Sequence, residues 1–260
     1  EMLRSLVGSE MCIRDRSGAD PLFSIITVSY NAKESIEDTI NSIVNQTYSN
    51  FEYIIVDGGS TDGTLDIIRK YEDKISYWIS EPDNGIYDAM NKGLAICKGE
   101  WINFMNSGDL FYNDHVLVDI YRYCDFKKFH ILYGKTVVKE TGRVIVPPLK
   151  IRKKYFLLDT ICHQSIFFNR SIFMDLGTYS LDYKIIADRD LLLKSIINEK
   201  RFLYVDVVVS LWESLGFSGN NLKLFKNEEK LLVNRNFNTV EIYFIRINYK
   251  FRQFLNKLKL

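Results

Sequence analysis

At 260 residues with 47% hydrophobic positions, the chain is long enough for one large α/β domain or two small ones, and apolar enough to fill a core. Its 34 Lys and Arg nearly cancel its 33 Asp and Glu, which removes nucleic acid from the expected partners, and no apolar run reaches the roughly 18–20 residues that span a bilayer. Cys12, Cys97, Cys124 and Cys162 form no C-x-x-C pair, so neither a zinc site nor a redox motif is indicated, and a reducing, cytoplasmic setting is expected.

Residues 1–20 lack the apolar centre of a signal peptide and match no helix or strand period. The run SEMCIRDR resembles the conceptual translation of a sequencing adapter, so this leader is expected to be non-native or disordered and to lie outside the fold. Phe23–Tyr30 (FSIITVSY) predicts a buried strand, followed by a helix with Ile36, Ile40, Ile43 and Val44 on one face. Phe51–Val56 predicts a second strand, closed by Asp57-Gly58-Gly59-Ser60-Thr61-Asp62-Gly63, and Thr64–Tyr71 a second helix. Ile75–Ser80, a helix from Tyr87 to about Cys97, and the strand Glu100–Met105 complete the order β-α-β-α-β-α-β. Such alternation implies right-handed crossovers and a parallel sheet.

Asp114–Cys124 reads as helical, Ile131–Val138 with Arg143–Val146 as a hairpin, and Gln164–Asn169 as a strand before a helix at Arg170–Leu176. A helix from Asp188 to about Asn198 and a strand at Phe202–Val209 follow. With no linker or repeat, a single domain over 21–220 is expected, and 221–260 reads as a basic helical tail with nine Lys and Arg against three Glu. Tyr243, Phe244, Ile247, Phe251, Phe254, Leu255 and Leu258 recur there at helical spacing, interleaved with Arg246, Lys250, Arg252, Lys257 and Lys259. That pattern suits a helix packed on the core or one lying on an anionic inner-membrane face, and the sequence does not separate the two.

Three polar segments end consecutive predicted strands: Ser29-Tyr30-Asn31, Asp57 to Asp62, and Asn106-Ser107-Gly108-Asp109. Each alone could be a turn, but parallel strands place all three along one rim, where open α/β sheets bind ligands. Asp57 can accept from a base N–H, Asn106 can bond a ribose, and Gly58-Gly59 allows close backbone approach, which together describe a nucleotide cleft. A nicotinamide-binding Rossmann fold would need G-x-G-x-x-G after the first strand, where this chain has Ser29-Tyr30-Asn31-Ala32-Lys33-Glu34.

SIITVSYNAKESIEDTINSIVNQTYSNFEYIIVDGGSTDGT, EPDNGIYDAMNKGL and GEWINFMNSGD resemble, in this order, the motifs of the family-2 glycosyltransferases, over nearly the whole span Phe23–Ser218. Among these, the chain looks most like bacterial enzymes of exopolysaccharide, capsule or O-antigen synthesis. The resemblance implies a GT-A fold, with a Rossmann-like, mostly parallel central sheet flanked by helices. It also implies inverting transfer from a nucleotide-sugar, a UDP-sugar by preference, to a hydroxyl of a glycan or lipid-linked saccharide. Ser29, Tyr30, Asn31, Asp57, Gly58, Asp88, Asn91, Lys92, Asn106 and Ser107 would bind the donor, and Asp109 would hold Mn²⁺ or Mg²⁺ against the leaving diphosphate. Asp83 and Asp88 read first as turn and helix-start residues, and only then as contacts to the donor sugar.

LDYKIIADRDL at 181–191 resembles the family's E-D motif with Ala187 in place of Glu, which implies Asp188 as the catalytic base; from the residues alone, Asp182 and Asp190 would stand equal to it. His163-Gln164 matches an H-Q element of these relatives and, with Trp212, is expected on the acceptor or pyrophosphate side. The chain departs from the family at Gly58, where Asp is common, at Asn106-Ser107-Gly108-Asp109, where D-x-D-D is more usual, at Met90, where many relatives carry Arg, and at Ala187. Gly58, Gly108 and Ala187, each in place of a common acidic residue, keep a second reading open, a degenerate nucleotide-sugar sensor or an assembly partner in a polysaccharide-synthesis complex.

Overall fold

The structure is a computed structural model and describes residues 10–13, 21–124, 128–213, 221–245 and 247. The backbone of β1 (Glu10–Ile13), inside the leader read as lying outside the fold, pairs antiparallel with β4 at the sheet edge. β2 (Phe23–Ser29), α1 (Ile36–Val44), β3 (Phe51–Asp57), α2 (Thr64–Lys70), β4 (Tyr77–Ser80), α3 (Ile86–Ile96) and β5 (Trp101–Phe104) then alternate as the apolar pattern predicts. β4, β3, β2 and β5 lie side by side and parallel, so the carboxyl ends of β2, β3 and β5 fall along one rim.

Neighbouring residues on these strands point to opposite faces, and both faces are covered. Ile26, Ile54, Val56 and Phe104 join one core with Ala89 and Met90 of α3, while Ile25, Tyr53, Ile55 and Trp101 join the other with Ile36, Ile40 and Ile43 of α1. That two-sided burial explains why β2 and β3 read as unbroken apolar runs rather than as alternating ones.

Beyond β5 the sheet changes direction. The chain adds β6 (Leu110–Phe111), α4 (Val116–Tyr121), β7 (Ile131–Val138), β8 (Val144–Ile145), short 3₁₀ turns at Lys153–Leu157 and His163–Ser165, β9 (Ile166–Asn169), α5 (Ser171–Leu176), α6 (Ala187–Ile197) and β10 (Phe202–Trp212). β9 runs antiparallel to both β5 and β7, β7 is parallel to β10, and β6 pairs antiparallel with the far edge of β10. The expected hairpin is present as β7–β8.

α7 (Leu222–Asn236) opens the tail and packs on the core through Leu232 and Val233, with Phe237 buried behind it. Helical residues 239–245 follow, presenting Val240, Tyr243 and Phe244 to solvent while Ile242 and Ile245 touch the core. The remaining tail positions read as membrane-facing, from Arg246 and Lys250 onward, lie outside the described residues except Ile247, which is exposed.

Candidate functional site

Asp57 closes β3 and is fully buried. Its carboxylate accepts from Ser29 Oγ (2.9 Å), Ser60 Oγ (2.6 Å), Ser80 Oγ (2.7 Å) and the backbone N–H groups of Gly59 (3.0 Å) and Ser60 (2.8 Å). Five donors fill the roughly four lone-pair positions a carboxylate offers, so Asp57 ties the ends of β2, β3 and β4 together and has no acceptor capacity left. Asn31, at φ 47°, extends the same tie: its backbone N–H donates to Ser60 Oγ and its Oδ1 accepts from the Thr61 N–H.

Above Gly58 a different carboxylate waits. A Cβ at Gly58 would lie 2.5 Å from Asp83 Oδ2 and 3.3 Å from the Tyr30 ring, so the absence of a side chain makes room for Asp83. Asp83 Oδ1 accepts from the Gly85 N–H (2.8 Å), and burial raises the group's pKa from its ordinary value. Tyr30 is 66% exposed beside it, an aromatic face free to meet a planar ligand.

The Asn106–Asp109 turn leaves β5 with Gly108 at φ +98°, a conformation that favours glycine, and Thr39 of α1 clamps it. Thr39 Oγ1 accepts from the Gly108 N–H (3.0 Å) and donates to the Asp109 carbonyl (3.0 Å). The buried Asp109 carboxylate takes Gln164 Nε2 on Oδ2 (2.5 Å) and the Glu213 N–H on Oδ1 (3.1 Å), which leaves lone pairs for a further partner. Burial pushes its pKa up to about 7, against the hydrogen bonds from Gln164 and the Glu213 N–H, which pull it down; the Glu213 carboxylate adds a smaller push upward.

Asp188 lies in the first turn of α6, with its side chain 13% exposed. Tyr87 Oη shares its proton between Asp188 Oδ1 (3.0 Å) and the Ile185 carbonyl (2.6 Å), and burial holds that phenol protonated. His163 Nδ1 stands 3.8 Å from Asp188 Oδ2. Asn106 Nδ2 meets His163 Nε2 at 2.8 Å; an amide NH₂ can only donate, which leaves the imidazole proton on Nδ1, facing Asp188. Burial lowers the pKa of this histidine and keeps it neutral. Consecutive residues thus reach the two carboxylates, His163 toward Asp188 and Gln164 to Asp109, while Asn103 Nδ2 pins the Gln164 carbonyl at 3.0 Å.

The other sequence candidates divide. Asp88 accepts from the Asn84 N–H, Asn91 clamps the backbone of Tyr179, and Lys92 pairs with Glu81 (2.8 Å) and the Pro82 carbonyl. These polar groups are committed to the fold around the rim. Ser107 is half-buried in the turn, its N–H bonded to the Val28 carbonyl, and Trp212 ends β10 in register with Val138 of β7. Of the rival acids, Asp190 pairs with Lys194 (2.7 Å) and Asp182 with Arg235 (3.1 Å), which leaves Asp188 as the one of the three on the rim network.

Three contributors escaped the sequence reading: Tyr87, Glu213 and Glu228. Glu228 of α7, 6% exposed, accepts from the N–H groups of Lys184 (2.7 Å), Ile185 (2.9 Å) and Ile186 (3.3 Å), and so holds the segment that presents Asp188. Its partners are backbone groups, which leave no trace in side-chain identity. Tyr87 stood inside a recognised motif, and a buried phenol at a helix start was the available signal.

The family model described as Glycosyl transferase family 2 matches residues 24–177. The chain belongs to that family. It is 31% identical over 209 residues to a PGL/p-HBAD biosynthesis glycosyltransferase of Mycobacterium bovis, covering 78% of this chain and 81% of that one. Among solved structures it resembles S. aureus TarS 1-349 in complex with UDP-GlcNAc (TM-score 0.62, 23% identity, 74% of this chain) and spans 58% of that chain. It also resembles the mannosyltransferase PcManGT from Pyrobaculum calidifontis in complex with GDP-Man and Mn²⁺ (TM-score 0.61, 19% identity, 80% of this chain and 61% of that one). The family-2 transferase has the GT-A fold expected from its motifs, and the family match ends before α6, so Asp188, Glu213 and Glu228 all lie beyond it.

Among the described residues no group of three or more His, Cys, Asp and Glu is disposed to hold a metal ion. The oxygen donors of the Asn106–Asp109 turn nevertheless suit a hard divalent cation: Asp109 keeps free lone pairs, and Asn106 Oδ1 is buried with no hydrogen-bond partner. Among the described residues no helix is long and apolar enough to cross a membrane.

Proposed function

We propose that this transferase moves a sugar with inversion from a UDP-sugar to a hydroxyl of a glycan or lipid-linked acceptor in the synthesis of a bacterial surface polysaccharide, assisted by Mn²⁺ or Mg²⁺. The observation that carries this reading is the His163-Gln164 step, which ties the base candidate to the cation-side carboxylate across the rim. Support for the donor class comes from TarS, solved with UDP-GlcNAc, and for the cation from PcManGT, solved with Mn²⁺. The mycobacterial relative is named for PGL/p-HBAD biosynthesis, which supports a glycosyl transfer in a biosynthetic route.

In the proposed reaction the acceptor oxygen attacks the anomeric carbon, the bond from that carbon to the phosphate oxygen breaks on the opposite face, and the acceptor proton passes to Asp188. Tyr87 and His163 hold the Asp188 carboxylate by a donated hydrogen bond and a facing N–H, leaving lone pairs for that proton. A divalent cation, when bound, neutralises charge developing on the departing diphosphate. Asn106, Ser107 and Asp109 face the donor diphosphate and ribose in this reading. The base-reading contact moves from Asp57, whose lone pairs are filled, to Asp83 beside Tyr30. The exposed Val240, Tyr243 and Phe244 of the basic tail support peripheral contact with the cytoplasmic face of the inner membrane. Loss of salt-sensitive co-sedimentation with anionic vesicles on removing residues 238–260 tests that part, and unchanged co-sedimentation would sink it.

The test of the whole is UDP release from a panel of UDP-sugars, with and without Mn²⁺ and a lipid-linked acceptor. Release that needs both acceptor and Mn²⁺ supports transfer. Gly58, Gly108 and Ala187, each standing where an acidic residue is common in the family, favour the degenerate-partner reading. UDP-sugar binding without any release would establish that reading instead.

A further inference from the structure

The side chain that Gly108 lacks is replaced across the sheet edge. β10 pairs with β6 in the register Ser210↔Phe111 and Leu211↔Leu110. Continuing that antiparallel register by two positions brings Glu213 opposite Gly108. The side chains agree with the register: a Cβ built on Gly108 would lie 2.6 Å from Glu213 Oε2, so the Glu213 carboxylate occupies the space an acidic residue at 108 would fill. The Glu213 N–H is at the same time bonded to Asp109 Oδ1 (3.1 Å), which fixes the backbone from which that carboxylate projects.

We propose that Glu213 is the second carboxylate of the cation site, standing in for the motif acid absent at Gly108 and acting beside Asp109. The proposal rests on the transferase reading above. Two carboxylates brought this close repel each other, and a divalent cation is the partner that relieves both at once. Among the described residues no donor bonds the Glu213 carboxylate, while the same turn carries the partnerless, buried amide oxygen of Asn106. Two carboxylates and an amide oxygen are the hard donor set that Mn²⁺ and Mg²⁺ prefer, and they are too few to hold the ion tightly before a diphosphate adds its own oxygens. The competing arrangement is a solvent-facing pairing of Glu213 with the exposed Lys139, whose charge acts on Asp109.

Mn²⁺ binding to the full chain, read by the loss of the free-ion electron paramagnetic resonance signal with and without UDP, tests the assignment. In the presence of UDP, Glu213→Gln should weaken Mn²⁺ by about tenfold or more, the range seen when a carboxylate supporting a metal is lost, with UDP affinity in the absence of metal unchanged. Glu213→Asp, which keeps the charge on a shorter arm, should lie between the two. Parental Mn²⁺ affinity in Glu213→Gln, with the UDP-dependent increment intact, overturns the proposal and favours the Lys139 pairing. A parent chain whose UDP binding ignores Mn²⁺ overturns the proposal together with metal assistance, and one that does not bind UDP overturns the transferase reading itself. A folded Glu213→Gln, judged by an unchanged melting temperature, is expected because the side chain is only half-buried.

Discussion

Asp188 and its neighbours show how little residue identity says without placement. All three acids of 181–191 are carboxylates near a helix start, yet Asp182 is held by Arg235 and Asp190 by Lys194, while Asp188 meets Tyr87 and faces His163. Asp188→Asn keeps the shape and removes the basic electron pair, so turnover should fall by about 10²–10⁴ with UDP affinity retained. Asp182→Asn and Asp190→Asn should cost far less; near-parental turnover in Asp188→Asn would move the base elsewhere. The rim offers a second contrast of the same kind. Asp57→Ala strips the acceptor from five donors in a buried site and should lower stability by about 2–4 kcal/mol, read as a drop in Tm. Asp83→Asn retains the Oδ1 that accepts from Gly85 but turns Oδ2 into a donor, so it should leave Tm alone and weaken UDP by about 10–100-fold, the worth of one charged hydrogen bond. Equal UDP affinity in Asp83→Asn and parent would show that the carboxylate over Gly58 does not read the base.

At the scale of elements, the parallel half of the sheet was legible because its strands obey a rule that side chains record. β2, β3 and β5 are buried on both faces, so they stand out as apolar runs, and the helices between them carry a 3.6-residue stripe. β6 was not legible, because two residues cannot display a period, and yet it sets Glu213 against Gly108. The reversal at β9 was equally hidden: a buried strand looks the same in either direction. Along the tail, the helical spacing was visible but its division was not. α7 belongs to the core and reaches the active segment through Glu228, whereas residues 239–245 expose aromatics. Glu228→Gln keeps the size but replaces one accepting oxygen with a donor facing backbone N–H groups, so the 184–186 segment should loosen. The expected signature is a lower kcat with UDP affinity unchanged, because Glu228 acts through the placement of Asp188. A shift in UDP affinity alone would show that α7 supports the donor side instead.

Across the whole molecule the two halves of the sheet meet at one rim: β2, β3 and β5 end there, and α6, reached by way of the antiparallel half, brings Asp188 to the same edge. The His163-Gln164 step couples these halves, bonding to Asn106 and Asp109 of the turn after β5 while His163 faces Asp188 of α6. A ligand filling the rim should therefore stabilise the folded chain as one unit. At free UDP about a hundred times its dissociation constant, mass action adds about 2.7 kcal/mol, which for a chain of this length raises Tm by about 5–10 °C. Mn²⁺ alone should raise it little, since the chain offers few ligands until the diphosphate supplies the rest. Both together should exceed the sum of the separate shifts, because each improves the other's site and the coupling is reciprocal. Asp109→Asn should remove that excess while leaving the metal-free UDP shift in place. Additive shifts in the parent would mean that the cation and the diphosphate do not meet at this rim, and an excess that survives Asp109→Asn would place their meeting away from the turn that ends β5.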